Sequence, residues 1–110
     1  MGLHEVKVDP NDGATLIELE DEFNDIKSRA LKAYSFAQHK AEKNLMSAHP
    51  IRLGAALNFS VFKYEYEDED EAIAFAKKAI EVAMKKIEAV KDDQDREDSN
   101  TILDLLRENI

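Results

Sequence analysis

Between Gly13 and Pro50 the chain contains neither glycine nor proline, and apolar residues return through that interval in steps of three and four. Leu16, Leu19, Phe23, Ile26, Ala30, Tyr34, Ala37, Ala41 and Leu45 fall on one side of a helix that turns ~100° per residue. Thr15-Leu16-Ile17-Glu18 fits a capping box, in which the threonine hydroxyl and the glutamate carboxylate satisfy orphan amides at a helix start. The spacing therefore predicts a first helix over residues 15–46, ~48 Å long at 1.5 Å per residue. A helix of that length must cover its apolar stripe with other helices, and this restricts the fold more than any other feature.

The rest of the chain supplies those helices. His49-Pro50 opens a second one, because proline at the first helical position loses only an N–H that would be orphaned anyway. It is expected over residues 49–66. The acidic run Glu67-Asp68-Glu69-Asp70-Glu71 suits the positive end of a third helix, expected over residues 69–91 with Ile73, Ala76, Ile80, Ala83, Ile87 and Val90 as its stripe. The polar stretch Lys91 to Glu97 reads as a loop, and a fourth helix is expected over residues 98–110. Short connections make consecutive helices antiparallel neighbours. The fold class is thus all-α, an antiparallel helical bundle or array of about four helices over residues 15–110. Residues 1–14, with the turn signal Asp9-Pro10-Asn11-Asp12-Gly13, are expected to form a flexible amino-terminal arm. The first half of helix 1, Leu16 to Ile26, is expected to overhang its shorter partners, and an uncovered apolar stripe leads to self-association. A homo-oligomer is expected on that ground.

Composition removes several functional classes. A formal net charge of -9 leaves no basic face for nucleic acid. The densest basic group, Lys77, Lys78, Lys85 and Lys86, sits late in the third helix, where it complements the helix dipole. No run approaches the ~20 apolar residues of a membrane span, and Met1-Gly2-Leu3-His4-Glu5 does not open a signal peptide. The absence of cysteine excludes disulfides and thiolate chemistry, so a cytoplasmic location is expected. His4, His39 and His49 form no zinc-binding H-E-x-x-H motif, and no glycine-rich phosphate loop occurs. Catalysis, metal ions and cofactors are not expected; protein or peptide partners are.

The second helix carries more than one face. Ile51, Ala55, Phe59, Phe62 and Tyr66 make one apolar stripe, and Leu53, Leu57 and Tyr64 make another. Arg52, Ser60, Lys63 and Glu67 share a polar face. Gly54, Asn58, Val61 and Glu65 line up on the opposite side. Two apolar stripes imply neighbours on both flanks, so the last set could floor a groove. The Asn58 amide offers two donors and an acceptor, which suits an extended peptide backbone. On this helix alone, solvated or internally satisfied Asn58 and Glu65 would explain the pattern as well. The fourth helix adds Ile102, Leu105 and Asn109 at i, i+3 and i+7, with Leu103, Leu106 and Ile110 as the adjacent stripe. An amide-bearing apolar face on each of two helices suggests opposing walls of one groove.

His49-Pro50-Ile51-Arg52-Leu53-Gly54, followed by Leu57-Asn58-Phe59-Ser60-Val61-Phe62 and Tyr64-Glu65, resembles the signature of the 14-3-3 proteins. Leu105-Leu106-Arg107-Glu108-Asn109 is similar to the last-helix motif of that family, and Ala33-Tyr34 stands at its spacing ahead of His-Pro. The resemblance covers roughly residues 33 to 110. It implies an all-helical adaptor that holds phosphoserine or phosphothreonine peptides in an amphipathic groove. It also implies that Leu57, Asn58, Val61, Glu65, Ile102, Leu105 and Asn109 form the peptide wall, with the two asparagines holding the peptide main chain.

The departures matter too. A family member is about twice as long, and its amino-terminal helices supply most of the dimer interface and part of the basic phosphate pocket. The Arg-Tyr pair expected before Ala33-Tyr34 is replaced by the acidic stretch Leu16 to Ile26. Lys63 replaces a usual aromatic and Thr101 a usual leucine. Arg29, Arg52 and Arg107 are scattered, so no phosphate-binding cluster can be read. Phosphopeptide binding by this chain alone is expected to be weak or lost. The alternative is a structural, self-associating helical protein with a vestigial groove.

Overall fold

A computed structural model describes residues 13–110, with side chains from Leu16 onward. Most of the arm expected over residues 1–14, and the Thr15 side chain on which the capping box rests, lie outside the described residues. Four α-helices run in order: α1 (Gly13–Asn44), α2 (Pro50–Tyr66), α3 (Glu69–Met84) and α4 (Asp93–Glu108), with a 3₁₀ turn at Ile87–Ala89 before α4. No strand occurs among the described residues, as the all-α expectation requires.

The chain divides into two compact units, residues 1–30 and residues 31–110. In the first, the described part is the opening of α1, where Leu16, Ile17, Leu19, Phe23 and Ile26 are exposed. The second holds the rest of α1 and the three other helices, and there α2, α3 and α4 pack on one another pairwise.

The core of the second unit forms where the stripes converge. Ala48, Leu53, Ala76, Ala83, Ile87, Val90, Leu103 and Leu106 make one buried cluster, against which Leu57, Ile80 and Ile102 are half-buried. Small alanines on α3 let helices approach closely, and leucines from α2 and α4 fill the space between. Burying a leucine contributes roughly 1.5–3 kcal/mol. An aromatic seam extends the packing, with Tyr34 5.1 Å from Phe62 and Phe59 5.4 Å from Phe75 between ring centroids. Such pairs add about 0.5–1.5 kcal/mol beyond burial.

The corner between α1 and α2 is built from side chain-to-carbonyl bonds. The Ser47 hydroxyl donates to Val82 O at 3.1 Å, Arg52 Nη1 to Leu45 O at 3.0 Å, and Ser99 Oγ to Ala48 O at 2.6 Å. Ala48 and Ser99 are both fully buried. Seating Ser47 and Ala48 inside requires the chain to turn after Asn44, two residues ahead of the expected end of helix 1. His49 then caps α2, its Nδ1 accepting from Ile51 N at 3.1 Å, with Pro50 in the first turn as its fixed φ favours.

Two helix bounds need correction. The third helix stops at Met84 rather than running to residue 91. The backbone tightens there, and the 3₁₀ turn puts i and i+3 on one side, so Ile87 and Val90 both enter the core. The fourth helix begins at Asp93, not near residue 98, because Asp92 is an N-cap whose carboxylate accepts from Asp95 N at 3.0 Å. Arg96 fixes this junction by donating Nη2 to Val90 O at 2.7 Å. The polar face of α2 is partly covered. Ser60 is buried and donates to Leu57 O, and the Lys63 side chain is only 11% exposed. Lys63 Nζ lies 4.5 Å from the Phe59 ring centroid and 3.0 Å from Glu71 Oε1. A cation thus stands on the aromatic seam and pairs across to α3.

Candidate functional site

The packing of α2 decides which side it leaves open. Leu53, Ala56, Phe59, Ser60 and Phe62 are buried. At ~100° per residue these cover a broad arc, and the remaining arc carries Asn58, Val61 and Glu65, all exposed. Gly54 lies on the same side, and a Cβ placed there would meet nothing within 4 Å. The α4 helix is turned by its own core contacts. Ser99, Leu103 and Leu106 point inward, which leaves Ile102 half-buried and Leu105 and Asn109 exposed about a quarter-turn away.

Three of the expected wall residues meet in one groove of about 430 Å³, lined by Val61 and Glu65 from α2 and by Asn109 beside the end of α4. Three further residues were not among the expected wall. Ile73 of α3 lines the same groove, as do Glu108 and Ile110. Ile73 was legible only as a core position, and it does sit half-buried, at the edge where core and groove meet. The expected pair of walls is therefore joined by α3.

The other four residues lie outside this groove. Asn58 is exposed on the open face of α2, one turn ahead of Val61, and Leu105 is 42% exposed on α4. Leu57 and Ile102 rest on the core cluster. Ile102 also borders a separate hollow of about 450 Å³ with His49, Pro50 and Ile51 at the start of α2.

The groove is acidic. Its charged lining is the two carboxylates Glu65 and Glu108, with no lysine or arginine. The described arginines are engaged elsewhere. Arg52 donates to Leu45 O, Arg96 to Val90 O, Arg107 to Asp104 at 2.9 Å, and Arg29 pairs with Asp25 at 2.7 Å. Lys63, on the far side of α2, is held by Glu67 and Glu71. Chemically the arrangement offers apolar contact and amide hydrogen bonding. It does not offer the converging guanidinium groups that a phosphate needs. No cluster of His, Asp or Glu suited to a metal ion occurs among the described residues. No described helix is long and apolar enough to cross a membrane.

Comparison with known proteins adds a family likeness. The sequence model of the 14-3-3 protein family matches residues 15–110. The chain is 42% identical over 91 residues to the 14-3-3-like protein C of Glycine max, covering 82% of this chain and 35% of that protein. It is 44% identical over 93 residues to the 14-3-3 protein homolog 2 of Echinococcus multilocularis, covering 83% and 37% respectively. It is 45% identical over 82 residues to the 14-3-3 protein 9 of Solanum lycopersicum, covering 74% and 31%. The chain thus spans about a third of the length of the curated relatives it matches.

Proposed function

The chain belongs to the 14-3-3 family, and from that premise we propose that it is a protein-interaction adaptor, working in the cytoplasm, whose peptide wall is the open face of α2 continued by α4. One observation carries the reading: Val61, Glu65 and Asn109 line a single groove, with Asn58 exposed one turn away on the same side of α2. Leu57, Ile102 and Leu105 extend the wall as apolar surface. The two asparagines bond the peptide main chain, and no described residue supplies either amide with a competing side-chain bond. The wall is non-catalytic.

Binding to phosphoserine or phosphothreonine is weak in this chain, because Glu65 and Glu108 repel the phosphate and no cation joins them. The test is an NMR titration of the full chain with a phosphoserine peptide and with its unphosphorylated form. Both peptides should shift the amide signals of Asn58, Val61, Glu65 and Asn109 with similar, weak affinity. Asn58→Ala with Val61→Asp should abolish the shifts while leaving the helical circular dichroism unchanged. Low-micromolar binding confined to the phosphorylated peptide would overturn the weak-phosphate reading. Silence from both peptides would overturn the adaptor and leave the vestigial groove.

A further inference from the structure

The opening of α1 plays no part in the peptide wall, yet it carries an ordered pattern of its own. Leu16, Leu19 and Ile26 are 45%, 36% and 60% exposed, and Phe23 is half-exposed between them. With Ala30 these residues repeat at alternating intervals of three and four, the seam of a two-stranded coiled coil. The flanks of that seam are charged in order: Glu20 and Glu22 come first, Lys27 and Arg29 one turn of the repeat later.

We propose that this stretch pairs with the same stretch of a second copy of the chain, antiparallel, centred between Phe23 and Ile26. In that register Phe23 faces the second copy's Ile26, and Leu19 faces the second copy's Ala30. Large residues meet small or complementary ones, and every layer occurs twice by symmetry. The flanks follow. Glu20 lies beside the second copy's Lys27, and Glu22 beside the second copy's Arg29, four attractive contacts in all. Sliding the pair by one heptad sets Glu20 against Glu20 and Glu22 against Glu22. Running the helices parallel keeps only Glu22 with Lys27, and it stacks Phe23 on Phe23 and Ala30 on Ala30. Charge and size select the same arrangement. The Arg29 guanidinium already pairs with Asp25 at 2.7 Å, but both groups are well exposed. That bond can be shared with an incoming carboxylate at little cost.

The test uses the full chain in sedimentation equilibrium from low-micromolar to millimolar concentration. The mass should climb toward twice the 12.5 kDa of one chain. Two charge variants decide the register. Glu20→Lys with Glu22→Lys makes both flanks basic, and Lys27→Glu with Arg29→Glu makes both acidic. Each variant should be monomeric alone, and their mixture should form a one-to-one dimer. Because the chain has no native cysteine, Leu19→Cys and Ala30→Cys report orientation. Mixed and oxidised, they should form the mixed disulfide in excess of either homodisulfide, since antiparallel Leu19 positions stand ~16 Å apart along the helix. A monomer at every concentration would sink the proposal, as would a dimer indifferent to the charge changes or a dominant Leu19→Cys homodisulfide. Leu19, Glu20, Glu22 and Arg29 are exposed and Lys27 and Ala30 are half-buried, so unchanged helical circular dichroism is required of each variant and separates lost pairing from lost folding.

Discussion

Replacing Gly54 by alanine should make the protein more stable and the proposed peptide wall less effective. Gly54 sits within α2 (Pro50–Tyr66), and no described glycine has a positive φ, so the backbone there suits any L residue. A glycine in a helix interior costs about 0.5–1 kcal/mol relative to alanine, mainly through unfolded-chain entropy. An added methyl meets nothing within 4 Å, so no steric cost offsets the gain. The net expectation is about 0.5–1 kcal/mol of added stability, or roughly 2–8 °C in melting temperature for a domain of this size. Urea unfolding followed by circular dichroism would measure it, as a raised midpoint with an unchanged slope. The same methyl projects onto the face that carries Asn58 and Val61, where a peptide backbone would approach closely. The titration with the unphosphorylated peptide should weaken several-fold. A loss of stability would refute the reasoning, because it would mean that this face of α2 is covered in the folded protein.

Other substitutions probe the elements that hold the wall in place. Ser99→Ala should destabilise by about 1–3 kcal/mol, since the buried Ala48 carbonyl loses its donor; urea midpoints measure this. Asp92→Ala should cost about 1 kcal/mol and raise amide exchange in the first turn of α4, where Asp95 N loses its acceptor. Lys63→Met keeps the aliphatic stem but removes the cation above Phe59, and should cost about 1 kcal/mol. A double-mutant cycle with Glu71→Gln should give a coupling below about 1 kcal/mol that shrinks with salt, because the Glu71 carboxylate is 60% exposed.

Much of this architecture can be read from the chain. Three of the four helix starts come close to expectation, and the start of α2 is marked outright, by a proline and a side-chain cap. The two stripes of α4 are also legible, because Leu103 and Leu106 alternate cleanly with Ile102 and Leu105. The start of α4 was not. Asp92, Asp93 and Asp95 look like a solvated loop, although an aspartate cap followed by first-turn acids is equally a helix signature. The end of α3 has no local marker, since Met84 to Lys86 carries neither glycine nor proline. It is set by the burial of Ile87 and Val90, which is a tertiary effect. The burial of Lys63 and Ser60 is hidden for a related reason. Polarity by itself does not reveal that a ring will lie beneath an ammonium, or that a hydroxyl can bond the preceding turn.

The bond from Ser99 to the Ala48 carbonyl joins residues 51 apart in sequence, and it bears on the order in which the protein assembles. Only two residues separate α2 from α3, so that hairpin can close as soon as both have been made. The Ala48 carbonyl, in contrast, is made before Ser99 and has no serine to meet until α4 follows. Until then that carbonyl lacks its donor and the face of α2 that packs on α4 is uncovered. Docking of α4 therefore completes the corner and sets the proposed wall in its final shape. A chain paused before Ser99 would carry the signature segment of the site without yet holding it in position.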